Sequence, residues 1–166
     1  EDIFTVEASK TAVYADQGAV CHELNCKNAG KMCDISQQVT ISGDAFPELH
    51  KPGTYVMKYD CVSTNTGHPA PPGSRRVVVQ DTVAPVCTLR AGPLKVEASF
   101  PYADPGFTCV DSIDGALALG KDNTQVVGSV DPEHTGKYVI TYRAKDSSGN
   151  WNDCKHCTGG KTLVRT

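Results

Sequence analysis

Residues 136–150, GKYVITYRAKDSSGN, alternate between apolar and polar side chains and then reach a turn. One parity carries Tyr138, Ile140, Tyr142 and Ala144, whereas the other carries valine, threonine, arginine and lysine. Alternation with a period of two is typical of a strand that buries one face in an antiparallel sheet. The DSSGN ending is a hairpin turn signal. The segment therefore predicts a half-buried strand followed by a tight turn.

This strand belongs to an internal repeat. Three blocks occur twice in the same order, namely VEAS (6–9 and 96–99), YADxG (14–18 and 102–106) and GxY (53–55 and 136–138). A cysteine follows each YADxG block, and a second tyrosine follows each GxY block after four residues. Matched blocks in a fixed order indicate a tandem duplication. Short strands at regular spacing, with turn signals between them, predict a β-sandwich for each copy.

The repeat sets the expected domain boundaries. We predict one module over 1–80, with its opening strand missing and a cysteine-rich insert, and a second module over 81–166. The junction QDTVAP (80–85) is short, so the modules are expected to form a semi-rigid pair. Without an initiator Met or a signal peptide, the chain is expected to be a mature piece or an excised fragment.

Composition narrows the class of protein. The chain has 166 residues and 8 cysteines, four in each half, and a formal net charge of -3. An even cysteine count in small modules predicts disulfides and an extracellular or cell-surface location. A slightly acidic chain lacks the basic face that nucleic acid requires, and no apolar run is long enough to be inserted in a membrane.

Residue parity suggests how the cysteines pair. In the first module, Cys21 and Cys61 both fall on core-facing positions of different strands, and Cys26 and Cys33 enclose a short loop. Ala144 stands where Cys61 stands in the first copy, so the second module must pair differently. Four cysteines allow three pairings. We expect these four bridges: Cys21–Cys61, Cys26–Cys33, Cys87–Cys109 and Cys154–Cys157.

Other candidate sites are weak. The CKHC motif (154–157) lacks the second cysteine pair of a structural zinc site and the βαβ context of a redox motif. The segment DSIDG (111–115) faintly resembles a calcium-binding loop. It offers only two carboxylates, Asp111 and Asp114, and these lack EF-hand spacing. Trp151 is the candidate for stacking on a sugar, although packing at a strand end is the expected role. We predict no metal and no cofactor.

Catalytic motifs are also missing. The five histidines are scattered, and no G-x-S-x-G, G-x-G-x-x-G or H-E-x-x-H pattern occurs. The chain is therefore not expected to be an enzyme. The stretch 63–74 is rich in serine, threonine and proline, which makes it a candidate for O-linked sugar on a glycoprotein.

The stretch DTVAPVCTL (81–89), the blocks VEAS, YADPG and DSIDG, and the strand GKYVITYRAKDSSGN resemble Ig-like repeats of the hyalin-repeat and bacterial-surface type. The cysteine-bearing form is most similar to repeats of algal and protist extracellular proteins, including mastigoneme (flagellar hair) proteins. The first module departs from the pattern, because STNTG (63–67) replaces the DxxGN turn. The resemblance implies an all-β chain of two tandem Ig-like antiparallel β-sandwich modules.

Two functions are expected from this resemblance. In the first, the chain is a structural module of a multi-repeat fibre, cell surface or flagellar hair, and its partners are neighbouring repeats or copies of the same protein. In the second, it is an adhesin-type module that binds carbohydrate or protein through loops at one end of a sandwich. Fold alone does not choose between them.

Overall fold

In a computed structural model, the described residues are 2–24, 30–93, 95–153 and 163–165. Contacts divide the chain into two compact units, Glu1–Gln80 and Asp81–Thr166. Regular structure in the described ranges is strand, apart from a 3-10 turn at Ser36–Gln38. The predicted all-β, Ig-like sandwich class is confirmed. None of the residues in these ranges forms a helix that is both long and apolar enough to cross a bilayer.

The first unit contains one four-stranded sheet and one hairpin. Its strands are β1 (Asp2–Glu7), β2 (His22–Leu24), β3 (Met32–Asp34), β4 (Thr40–Gly43), β5 (Gly53–Asp60) and β6 (Gly73–Gln80). The sheet has the order β1-β6-β5-β4, and β2 pairs with β3. Met57 of β5 and Val77 of β6 are completely buried, which places the core against the middle of the sheet.

One pair in this sheet is not antiparallel. β1 runs parallel to β6, with Asp2 opposite Arg75 and Glu7 opposite Gln80. Parallel neighbours cannot be joined by a tight turn, and here the whole of the unit lies between them in sequence. The antiparallel expectation was therefore wrong for this pair, because period-two alternation marks a strand but not the direction of its neighbour. The first and last strands of the unit thus lie side by side.

The second unit contains two three-stranded sheets. Its strands are β7 (Val86–Leu89), β8 (Phe107–Asp111), β9 (Gly115–Ala116), β10 (Thr124–Val127), β11 (Ile140–Ala144) and β12 (Leu163–Arg165). One sheet has the order β7-β8-β9 and the other β10-β11-β12. β11 is shorter than the predicted strand, but Ile140, Tyr142 and Ala144 are buried on the predicted parity. They pack with Phe107 and Cys109 of the other sheet, so the two sheets share one core.

The GxY block forms the same local contact in both units. The hydroxyl of Tyr55 donates to the backbone carbonyl of Lys51 at 2.9 Å, and that of Tyr138 donates to the carbonyl of His134 at 2.7 Å. A tyrosine near the start of a core strand whose hydroxyl bonds back to the chain a few residues upstream is the tyrosine corner of Ig-like sandwiches. The repeated sequence block therefore corresponds to a repeated structural device.

The YADxG block forms a second repeated contact. Asp16 accepts hydrogen bonds from the hydroxyl of Tyr59 at 2.7 Å and from the N–H of Gly18 at 3.0 Å. Asp104 accepts the equivalent bonds from Tyr142 at 2.7 Å and Gly106 at 3.2 Å. The glycine has a positive φ in each copy, +70° and +73°, a conformation that glycine adopts without steric cost. Each block thus ties a turn to the second tyrosine of the core strand.

In the first unit this contact includes a buried ion pair. Arg75 donates to Asp16 at 2.6 Å, and the aspartate side chain is 6 % exposed. Burial alone would raise the pKa of Asp16, but hydrogen bonds from Tyr59, Gly18 and Arg75 outweigh it and hold the pKa below its ordinary value of 3.8. Burial and the bond to Asp16 raise the pKa of Tyr59 to about 12. The carboxylate therefore stabilises the unit in its ionised form.

Replacing this carboxylate should destabilise the first unit in a pH-dependent way. We expect Asp16→Asn to lower the free energy of unfolding at neutral pH by about 1.5–3 kcal/mol, the usual value of a hydrogen bond to a charged group. Because the folded-state pKa of Asp16 is depressed, its contribution is present above about 3.8 and is lost as the pH falls through the folded value. Urea unfolding at pH 7 and about pH 2.5, followed by hydrogen exchange of peptides from 2–80, measures this difference.

Asp2→Asn is the matched control, because Asp2 pairs with the same Arg75 at 3.4 Å but is 71 % exposed. Exposed pairs contribute about 0–1 kcal/mol, so this variant should behave like the wild type. An equal loss in both variants, or a loss for Asp16→Asn that does not shrink in acid, would contradict the account.

Candidate functional site

Two disulfides connect described residues. Cys21, directly before β2, is bonded to Cys61, directly after β5. Cys87 of β7 is bonded to Cys109 of β8, and the two residues are direct partners in the register of these strands. Both pairs are those that residue parity suggested, although Cys21 and Cys61 each lie one residue outside a strand and not within one. The first bridge joins the hairpin side of its unit to the four-stranded sheet, and the second lies within a sheet.

The remaining cysteines are only partly described. Cys33 is disulfide-bonded, and Cys26 lies outside the described residues. Cys154 and Cys157 also lie outside them. The pairings Cys26–Cys33 and Cys154–Cys157 therefore stay predictions.

Trp151 lies beside the outer face of β11. It forms an isolated bridge with Lys145, and its ring is half-buried. The guanidinium of Arg143 lies 4.6 Å from the ring centroid, and the ammonium of Lys145 lies 5.8 Å from it. A cation–π interaction contributes roughly 0.5–1 kcal/mol at exposed sites. The indole thus packs against cationic side chains of its own unit.

A group of buried carboxylates occupies the second unit. Asp81 is its first residue, Asp111 ends β8, and Asp146 begins the turn after β11. One oxygen from each lies within 4.8 Å of the others. The exposed fractions are only 7 %, 4 % and 5 % respectively. We call these three residues the aspartate cluster.

Backbone, hydroxyl and side-chain amide donors hold the aspartate cluster in place. Asp81 accepts bonds from Val83 N–H at 3.2 Å and from the Ser148 hydroxyl at 3.0 Å. Asp146 accepts bonds from the backbone N–H and the side-chain amide of Asn150, at 2.8 and 2.9 Å. The turn sequence DSSGN thus supplies one member of the cluster, Asp146, and donors to two of its members.

Asp111 is held on one oxygen only. Its Oδ1 accepts bonds from the N–H groups of Ile113 and Asp114, at 2.7 and 2.9 Å. Its Oδ2 is buried and has no hydrogen-bond partner. Asp114, the other candidate of the DSIDG loop, lies apart from the cluster, and its carboxylate accepts both the N–H and the hydroxyl of Ser147 at 2.7 Å. Asp111 and Asp114 therefore have different roles.

The cluster carries unbalanced negative charge. Among the ion pairs that the described residues form, none includes a member of the cluster. Burial raises the pKa of Asp81, and the neighbouring charges of Asp111 and Asp146 raise it further, against the bonds from Ser148 and Val83. Buried charges are costly unless they are paired or coordinated. The three carboxylates are close enough to hold one cation between them.

In the first unit, the position equivalent to Asp111 carries a carboxylate with different surroundings. Glu23 follows Cys21 by two residues, as Asp111 follows Cys109, and it is 6 % exposed. Its carboxylate accepts a bond from Thr64 N–H at 2.6 Å and from the Thr64 hydroxyl at 3.1 Å. Burial would raise its pKa, but bonds from Thr64, Ser63 and Asn65 lower it overall. In this unit one carboxylate is fully hydrogen-bonded by the STNTG loop.

Glu23→Gln should therefore loosen that loop. The variant removes the charge that strengthens the two bonds from Thr64, so we expect the amides of 63–67 to exchange hydrogen faster than in the wild type. Hydrogen exchange read by mass spectrometry measures this. Glu48→Gln is the control, because Glu48 pairs with Lys51 on the exposed surface. If the amides of 63–67 exchange hydrogen at the wild-type rate in Glu23→Gln, the idea that Glu23 holds this loop is contradicted.

Residues 91–155 match a family model described as "Bacterial surface protein, Ig-like domain". The match includes β8 to β11 and therefore covers Asp111, Asp146 and the second tyrosine corner, but it stops short of Asp81. Comparison with curated proteins finds no match. This part of the chain is thus similar to an Ig-like domain of bacterial surface proteins.

Proposed function

We propose that the chain is a load-bearing structural module pair of a multi-repeat extracellular fibre, cell-surface or flagellar-hair protein. The observation that carries the proposal is the parallel pairing of β1 with β6, the first and last strands of the first unit. The similarity of 91–155 to surface Ig-like domains supports a surface location. Intra-unit disulfides support the same compartment.

The parallel pair gives the first unit a mechanical property. A force that enters at residue 2 and leaves at residue 80 pulls β1 and β6 in opposite directions along their common axis. The ladder bonds between these strands run roughly across that axis, so all of them are loaded in shear together. A hairpin pulled from its open end would instead lose its bonds one at a time. The pairing therefore resists extension.

The Cys21–Cys61 disulfide limits how far the first unit can extend after the β1–β6 pair has ruptured. Cys21 and Cys61 lie between β1 and β6 in sequence and enclose a separation of 40 residues. Residues between the two cysteines cannot extend while the bridge is intact. The unit therefore releases only part of its length when it is stretched, which is a useful property in a fibre.

Single-molecule force spectroscopy tests the mechanical role. Alternate residues of a strand direct their N–H groups to opposite sides, so either Phe4→Pro or Thr5→Pro must remove a donor of the β1–β6 ladder. We expect one of these variants to lower the rupture force of the first unit. Reduction of the disulfides should increase the length released at rupture.

Thr40→Pro and Ile41→Pro are the matched controls, because β4 is the opposite edge of the same sheet and lies outside the loaded pair. They should cost similar thermodynamic stability without lowering the rupture force. Equal loss of force in both strands would contradict a shear-loaded β1–β6 pair.

Electron microscopy of native material labelled against this chain tests the assembly. The proposal expects labels repeated along a filament or surface layer. A full-length protein that is a free two-unit monomer would contradict it. Glycan binding that is abolished by Trp151→Ala would instead favour the adhesin-type function.

A further inference from the structure

The aspartate cluster brings together three segments that are far apart in sequence. Asp81 lies five residues before β7, Asp111 ends β8, and Asp146 follows β11. β8 belongs to one sheet of the second unit and β11 to the other. A group bound by all three carboxylates would therefore join both sheets and the segment that leads into the unit.

Hydrogen bonds within the unit leave one oxygen of this cluster unsatisfied. Asp111 Oδ2 is buried without a partner, although the same loop provides two donors to Oδ1 of that carboxylate. A buried donor or acceptor that is left unsatisfied costs about 1–3 kcal/mol, and more when it is charged. Three neighbouring carboxylates also repel one another. An external cation would remove both costs.

The ligand chemistry favours calcium. The cluster offers carboxylate oxygens and neither imidazole nor thiolate, which suits a hard cation. Two oxygens on opposite sides of a calcium ion lie about 4.6–5.2 Å apart, whereas across magnesium they lie about 4.0–4.2 Å apart. The cluster oxygens lie within 4.8 Å of one another, which fits either ion; magnesium, however, is usually held by only one or two carboxylates, so a set of three favours calcium. Water or main-chain oxygens would complete the six to eight ligands of a calcium ion.

We propose that Asp81, Asp111 and Asp146 bind one calcium ion, which joins the entry segment, the end of β8 and the DSSGN turn. The sequence alone points only weakly to calcium, at Asp111 and Asp114 within one loop. In the structure Asp111 does belong to the site, but its neighbours there are two carboxylates from other segments and not Asp114. This site does not depend on the function proposed above.

The first unit provides an internal contrast. The position of Asp111 is occupied there by Glu23, which is bonded by Thr64. Ser63 follows Cys61 by two residues, as Asp146 follows Ala144, so the second carboxylate is missing. Calcium should therefore stabilise the second unit and leave the first unchanged.

The protein has a built-in reporter for this test. Trp151 is the single tryptophan of the chain and directly follows Asn150, which donates to Asp146. Its fluorescence reports the second unit alone. The oxidised chain, freed of metal with a chelator, is titrated with calcium chloride by calorimetry and by tryptophan emission.

For the wild type we expect one calcium ion per chain, with a Kd of about 10⁻⁴–10⁻³ M as in other extracellular modules. With about 5 mM calcium, the transition followed by Trp151 should rise by at least about 4 °C. Magnesium at the same concentration should produce a smaller shift. Peptides of the first unit should show no change in hydrogen exchange.

The Asp111→Asn variant shows whether Asp111 is a calcium ligand or acts only through its hydrogen bonds. An asparagine oxygen can still accept the bonds from Ile113 and Asp114, but one of the three negative charges is gone. In metal-free buffer the variant should be as stable as the wild type or more stable, and it should lose the calcium response. Asp122→Asn is the charge control, because Asp122 is exposed elsewhere in the same unit; it should keep the response.

A wild type that binds no calcium would overturn the proposal, as would an Asp111→Asn variant that binds it with unchanged affinity. A variant that is equally destabilised with and without calcium would also overturn it, since Asp111 would then act only through its hydrogen bonds. If Asp111→Asn fails to fold, Asp146→Asn takes its place with the same expected loss of calcium binding.

Discussion

Each unit is crosslinked at its core by a disulfide, and the rest of the structure depends on this constraint. A unit of about 80 residues buries little more than half of its unfolded surface, so packing alone leaves it marginal. One bridge contributes about 2–4 kcal/mol, a large share of the total stability of a small domain. Cys21, Ile35 and Cys61 form a buried cluster of their own. Cys109 packs among the core residues of the second unit.

The two units share a framework but differ in how they treat buried charge. Both retain the tyrosine corner and the tie between a turn aspartate and a core tyrosine. Two residues after Cys21, however, the first unit has one carboxylate, Glu23, which is hydrogen-bonded by Thr64. The equivalent residue of the second unit, Asp111, lies beside two further carboxylates in the aspartate cluster. The duplicated frame therefore carries a different set of buried carboxylates in each copy, as expected when a fold is retained and its loops diverge.

Much of this architecture can be read from the sequence, because strand alternation and repeated blocks are local patterns. Tyr142 and Met57 are buried on the expected parity, and the cysteines on core positions face one another. The parallel β1–β6 pair and the aspartate cluster are not local. Asp81, Asp111 and Asp146 have no ligand-like spacing in sequence, and only the folded unit brings their oxygens together. Asp114 is a candidate in the sequence because it lies close to Asp111 along the chain, which says little about proximity in space.

Non-reducing peptide mapping of the native, oxidised protein tests the central claim most directly. The account predicts crosslinked peptides that contain Cys21 with Cys61 and Cys87 with Cys109, each within one unit. Free thiols at these four positions, or a bridge between cysteines of different units, would contradict it.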